Sequence, residues 1–180
     1  EDIARFYNTP VTVSGHLHWN ILSLYSGILD GIRAARAKYG DAVSVGIDTW
    51  GVDYGLLDGS GRLLGLPYAY RDARNDGLAE AVSGRVGRRR LYNRTGIQFM
   101  DFNTRFQLEA ESRESDSLLG KAAHFLNTPD LLNYWLSGVV ANEATIASTG
   151  QCIDLETRAW AFDLLESVGA PRGIFGPIVR

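Results

Sequence analysis

Two carboxylates, a hydroxyl, an indole and a glycine fall together in Asp48-Thr49-Trp50-Gly51-Val52-Asp53. That set suits a polyol. Each sugar hydroxyl needs a donor or an acceptor, the C–H face of the sugar sits on an aromatic ring, and a glycine lets the backbone come close to the ligand. On residue types alone, Asp48 serves equally well as a turn cap and Trp50 as the filling of a hydrophobic gap. A second window, Tyr70-Arg71-Asp72-Ala73-Arg74, follows a ring with alternating charges. Its Arg–Asp pair could hold a loop shut or reach substrate hydroxyls, and it also reads as a solvated ion pair worth little energy. The third, Thr95 to Thr104, joins aromatic and amide groups (Gln98, Phe99, Phe102, Asn103) ahead of a helix, where Asn103 or Asp101 is also a natural N-cap.

Other chemistry-bearing residues carry less. His16 and His18 share a strand face at i, i+2 but lack a third ligand, so they read as an exposed strand face rather than a metal site. Arg85, Arg88, Arg89 and Arg90 form one short basic cluster in an acidic chain, which reads as a solvated helix face. The stretch Gly84-Arg85-Val86-Gly87 is not a phosphate loop. Cys152 has no activating base beside it and reads as a small buried residue.

The elements that must position these windows follow from periodicity. Val11, Val13, Leu17 and Trp19 alternate about Gly15, which predicts extended chain with a turn or bulge at the glycine. Asn20 then caps a helix through Ile21, Leu24, Tyr25, Ile28, Leu29, Ile32 and Ala35, and Gly40 stops it. Ala42–Asp48 reads as a strand ending at the first window, Val52–Asp58 as a second, and Arg62–Leu66 as a third, joined to the second by the turn Gly59-Ser60-Gly61. Beyond the charged cluster the chain reads mainly helical: Leu78 to Val82, Arg85 to Tyr92, Thr104 to Ser112, Leu118 to Phe125, Pro129 to Leu136 and Ala159 to Val168. Thr128 before Pro129 predicts a capped helix start, Gly138 its stop, and Asn127 to Gly138 a framework segment. Strands first and helices later, with a βαβ-like crossover near the start, predict an α/β or α+β layered domain.

Composition sets the outer bounds. The 180 residues carry 18 Lys+Arg against 21 Asp+Glu, a net charge of −3, with 45% hydrophobic and 22% charged residues. That is enough apolar surface for a core, and it excludes disorder as the default state. The slight negative balance excludes a protein that holds nucleic acid chiefly by neutralising phosphates. No apolar run reaches the roughly 18 residues a membrane span needs. With one cysteine and no secretory signal, a reducing cytoplasm is the expected home. The chain opens on Glu1 rather than Met, which predicts that sequence precedes it.

Read in order, Gly46-Ile47-Asp48-Thr49-Trp50-Gly51-Val52-Asp53-Tyr54, Leu66-Pro67-Tyr68-Ala69-Tyr70-Arg71-Asp72-Ala73-Arg74 and Thr95-Gly96-Ile97-Gln98-Phe99 to Phe102-Asn103-Thr104 resemble the FGGY carbohydrate kinases, as do the Thr128-Pro129-Asp130 helix and Thr145 to Gln151. The first string is most similar to members acting on L-rhamnulose. Met100-Asp101 and Arg105 depart from that branch and leave L-fuculose, L-xylulose or a related ketose open.

The resemblance implies an α/β, actin-like/ribonuclease-H-like domain with a mixed sheet and flanking helices, of which residues 1–180 are part of the N-terminal, sugar-side half. It places an N-terminal phosphate-binding hairpin, a catalytic-base segment and a C-terminal ATP domain outside this chain. It further implies sugar-binding roles for Trp50, Gly51, Asp53, Tyr70, Phe102 and Asn103, with Asp53 and Asn103 reaching one ligand beside Tyr70, and no catalytic or metal-binding residue in the chain. ATP and Mg²⁺ would serve the intact enzyme, whose base takes the proton from the primary hydroxyl of the sugar as it attacks the γ-phosphoryl group. The partner is a small-molecule sugar, with neither nucleic acid nor membrane, and the uncovered sheet edge predicts self-association. A non-catalytic sugar-binding or regulatory module, and a purely structural α/β domain, are the other readings of the same residues.

Overall fold

A computed structural model describes residues 1–180. The chain opens with an antiparallel hairpin, β1 (Pro10–Val13) and β2 (His16–Trp19), in register from Pro10 opposite Trp19 to Val13 opposite His16. Its two-residue turn has φ 52° at Ser14 and 86° at Gly15. Positive φ at both central positions matches the right-handed twist of the strands, and glycine adopts it without strain. The other edge of β2 is covered by residues 67–69: the Trp19 amide donates to Pro67 O at 2.9 Å and the Ala69 amide to Leu17 O at 2.8 Å. This puts His18 in the interior, its ring 4.3 Å from that of Tyr68, and pairs His16 with Asp72 at 3.1 Å. The expected exposed histidine face is therefore half buried, because a third extended segment covers it.

Helix α1 (Ile21–Tyr39) begins at Asn20, whose side chain accepts from the Ser23 amide, and stops at Gly40. The predicted strand 42–48 does not form. The strand β3 (Tyr54–Leu57) offers that run no edge, because one edge is taken by β4 (His124–Asn127) in antiparallel register and the other by residues 62–64. Val43 and Val45 are left exposed, and the expected βαβ-like crossover is absent. The predicted third strand, Arg62–Leu66, shrinks to one bridge, Leu57 with Leu63.

The helices that follow are α2 (Leu78–Val86), α3 (Arg88–Thr95), α4 (Thr104–Arg113), α5 (Thr128–Ser137), a short α6 (Ala144–Ser148) and α7 (Phe162–Glu166). The break between the first two falls at Gly87, later than predicted. The expected helix 118–125 is instead a single 3-10 turn followed by β4. A short apolar run fits either element, and alternation decides here: Phe125 enters one core and Leu126 the other. Thr128 does not cap α5; its amide donates to Asp53 O at 2.9 Å, Asn127 holds the cap position, and Gly138 forms the left-handed stop. A two-residue parallel pairing, β5 (Asn142–Glu143) with β6 (Ile178–Val179), closes the C-terminal side.

The β3–β4 ladder divides the interior. Tyr54, Leu56 and Phe125 face the larger core with Phe106, Leu108, Trp160, Leu165 and Phe175, while Leu57 and Leu126 face a smaller one with Ile21, Leu24, Leu131 and Leu132. Helix α4 thus packs on one face of the ladder and α1 with α5 on the other, a layered arrangement of helices on a sheet as the sequence predicts. Under the larger core lies a buried ion pair, Arg74 with Glu111 at 3.1 Å, and the Arg74 guanidinium stacks 3.3 Å from the Tyr68 ring centroid. No helix is long and apolar enough to cross a membrane.

Candidate functional site

The chain reaches the site through a tight turn just before β3. The Asp53 amide donates to Gly51 O at 3.0 Å, and Val52, at the centre of this three-residue turn, has φ 70°. A β-branched residue in that region is strained by about 1–3 kcal/mol and persists only where its surroundings impose it. They do so on both sides. The Val52 amide donates to Thr149 Oγ1 at 3.2 Å, and its carbonyl accepts from Thr104 Oγ1 at 2.7 Å and from Gln107 Nε2 at 3.3 Å. Both of the latter donors lie in the first turn of α4, so that helix sets the turn. Gly51 lies against Thr149, where a Cβ would come within 3.0 Å of Oγ1 and 3.2 Å of the Thr149 Cβ. Only glycine passes there without displacing its neighbour.

The turn aims Asp53 inward. Its carboxylate accepts from Trp19 Nε1 at 2.5 Å, Trp50 Nε1 at 2.8 Å, the Tyr70 amide at 3.2 Å and Gln107 Nε2 at 2.8 Å. Burial pushes its pKa up to about 6, against the pull of these four donors. Asp53 thereby ties together four segments that are distant in sequence. The Trp19 and Trp50 rings lie 4.1 Å apart, Trp19 and Tyr70 6.2 Å, and Tyr70 and Phe102 5.5 Å in an edge-on contact.

In front of this aromatic wall is an open cleft of about 310 Å³ lined by Trp50, Gly51, Val52, Tyr70, Arg71 and Phe102. Four of the six residues singled out from sequence, Trp50, Gly51, Tyr70 and Phe102, meet there. The other two stand behind it. Asp53 is buried with its carboxylate occupied, and Asn103 is buried with Nδ2 donating to Gln98 O at 2.7 Å. Asn103 holds the N-cap position of α4 without a side-chain cap bond, while Asp101 Oδ1 accepts from the Ala79 amide in the first turn of α2. Of the two departures in this region, Arg105 is wholly buried and donates to Leu164 O and Ser167 Oγ, away from the cleft.

On the far side of Gly51 a second, polar cleft of about 300 Å³ is lined by Asp48, Thr49, Asp130, Asn133, Glu143, Thr145 and Thr149, among others. Burial raises the Asp130 carboxyl to about 6, opposed by the Glu143 amide and Asn127. Asp130, inside the segment whose sequence predicts framework, faces this cleft; its place in the first turn of a helix opened by proline is the signal the sequence carries. Trp19 and Gln107 carry no such signal, since each reaches the site from an element with no motif of its own.

Residues 9–180 match the family described as FGGY family of carbohydrate kinases, N-terminal domain. The chain belongs to this family. FGGY relatives include proteins named rhamnulokinase from Bacteroides thetaiotaomicron, 44% identical over 179 residues covering 99% of this chain, and from Mannheimia succiniciproducens, 42% identical over 178 residues. This chain spans 37% of the length of each of these relatives. Among solved structures, a ligand-bound xylulose kinase from Lactobacillus acidophilus superimposes with a TM-score of 0.82 at 14% identity over 98% of this chain and 36% of its own. Plasmodium falciparum glycerol kinase with ADP gives 0.80 at 17% identity over 96% of this chain and 37% of its own. These likenesses fix the fold as that of the FGGY N-terminal domain.

Proposed function

We propose that residues 1–180 form the sugar-side wall of an ATP-dependent ketose kinase that phosphorylates a primary hydroxyl of L-rhamnulose. The observation that carries this reading is the cleft itself, together with identity above 40% to proteins named rhamnulokinase over nearly the whole chain. Tyr70, Trp50 and Phe102 offer apolar ring surface to the C–H face of a sugar, and Gly51 lets it approach the backbone. Asp53 and Asn103 hold this wall from behind. The wall binds, orients and excludes water from one side of the substrate, which raises the frequency of reactive encounters without supplying the chemistry.

The residues of this chain do not fit ATP or Mg²⁺. No group of three or more His, Cys, Asp or Glu converges as a metal site, and no phosphate-binding loop motif occurs. In this reading nucleotide, metal and catalytic base belong to sequence outside residues 1–180, the substrate partner is a small sugar, and the enzyme works in the cytoplasm. The test is ADP release by the full-length protein with ATP and L-rhamnulose, compared with L-fuculose and L-xylulose. L-rhamnulose is expected to give the highest kcat/KM, and the isolated 180-residue chain to give no turnover. A folded full-length protein that phosphorylates none of the three would sink the proposal.

A further inference from the structure

We infer that Arg71 is a substrate-contacting, specificity-determining residue: its free guanidinium reads hydroxyl oxygens of the ketose lying against Tyr70 and Phe102. The inference rests on the sugar-side reading above and names the polar partner which that reading lacks.

The cleft is short of side-chain polarity. The two polar residues expected to meet the sugar are withdrawn, Asp53 with four donors on its carboxylate and Asn103 with its amide on Gln98 O. The Val52 amide is used by Thr149. Tyr70, Phe102 and Trp50 contribute mainly ring surface, and the Trp50 indole N–H is spent on Asp53. Arg71 is the one charged residue lining the cleft.

Its neighbours in the charged run all have partners inside the protein. Arg74 pairs with buried Glu111, and Asp72 accepts from the Leu17 and Arg74 amides and meets His16. Arg71 has no carboxylate within 4.0 Å; its Nε donates to the Tyr70 phenol oxygen at 3.3 Å, and its guanidinium carbon lies 5.1 Å from that ring's centroid. Of its five N–H donors, four have no hydrogen-bond partner in the protein, and the residue is exposed. The planar fork presents two parallel donors at the spacing of paired oxygens, a match for vicinal hydroxyls. Stacking on Tyr70 steers the fork over the ring that supports the sugar. A site built to hydrogen-bond a particular hydroxyl discriminates against analogues that lack it.

The experiment uses the full-length protein with Arg71→Ala, Arg71→Lys and, as a control for surface charge, Arg89→Ala, whose side chain is exposed and unpaired on α3. Sugar affinity is read by calorimetry and by KM, with L-rhamnulose and with ketoses in which one hydroxyl is inverted or missing. Arg71→Ala is expected to weaken L-rhamnulose binding by at least about tenfold, and to shrink the preference for it over one particular analogue to under about threefold. Arg71→Lys should fall between, and the KM for ATP and the behaviour of Arg89→Ala should match wild type. Wild type that binds L-rhamnulose while Arg71→Ala binds and discriminates identically overturns the role of Arg71 alone. Wild type that neither binds nor phosphorylates any ketose overturns both this role and the kinase reading.

Discussion

Trp19 and Asp53, 34 positions apart, meet through a 2.5 Å hydrogen bond from the indole Nε1 to a carboxylate oxygen that Trp50 also uses. The bond ties the opening hairpin to the turn before β3. Two indoles are thereby fixed by one buried charge, and the aromatic wall of the cleft depends on the protonation state of that charge.

The Asp53 pKa is raised by burial from 3.8 to about 6. Between these values the folded state binds more protons than the unfolded chain, so stability from this group is greatest at low pH and falls as pH rises through about 6. We expect the unfolding free energy of wild type minus that of Asp53→Asn to decrease by on the order of 2–3 kcal/mol between pH 4 and pH 7. Urea titrations of both proteins across that range check it. A difference that stays constant or grows with pH would contradict the assignment.

Replacing Gly51 by valine puts atoms within contact range of the Thr149 side chain, which must move and in doing so release the Val52 amide. In the full-length enzyme Gly51→Val should raise the sugar KM by at least about tenfold, roughly 1.4 kcal/mol. Adding Thr149→Ala should recover part of the loss of fold stability by making room, measurable as a partial return of Tm. If sugar kinetics are untouched in a folded Gly51→Val protein, the residue lies outside the site.

Arg74 and Glu111 are both nearly fully buried, so removing one strands the other charge. Arg74→Met should cost about 3–5 kcal/mol, whereas the paired Arg74→Met, Glu111→Leu protein should regain most of it because an apolar pair leaves no unpartnered charge. Denaturant unfolding of the two singles and the double forms the cycle. Equal losses in the single and the double would show that the arginine acts through its stacking on Tyr68 instead.

Val43 and Val45 project into solvent beside the exposed C-terminal end of α1. An apolar segment without a partner invites association with another copy. Sedimentation of the isolated chain should show self-association that Val43→Lys with Val45→Lys reduces, while the unfolding free energy changes by less than about 0.5 kcal/mol, as expected at exposed positions. A monomer at every concentration would remove this segment as an association surface.

Local chemistry was legible wherever one residue controls one feature. Asn20 and Gly40 bound α1, Gly15 turns the first hairpin and Gly138 stops α5, each by its own side chain or lack of one. Segments whose state depends on remote partners were misread. Residues 42–48 have strand composition but find both edges of β3 occupied, and 118–125 became a turn and a strand because β4 separates two cores. The same split holds at the site. The rings of Trp50, Tyr70 and Phe102 and the glycine were identifiable by type, but the inward aim of Asp53 follows from a positive φ at Val52 that a strand-like alternation conceals.

That turn at Val52 also bears on how fast and how tightly a ligand is captured. Its left-handed geometry is held by hydrogen bonds to Thr104, Gln107 and Thr149, all within the protein itself. The cleft lip is thus preorganised: the ordering cost that a floppy loop would levy at the moment of binding is met during folding instead. Encounter needs no rearrangement of this wall, and affinity differences between sugars should register in dissociation rates rather than in association rates.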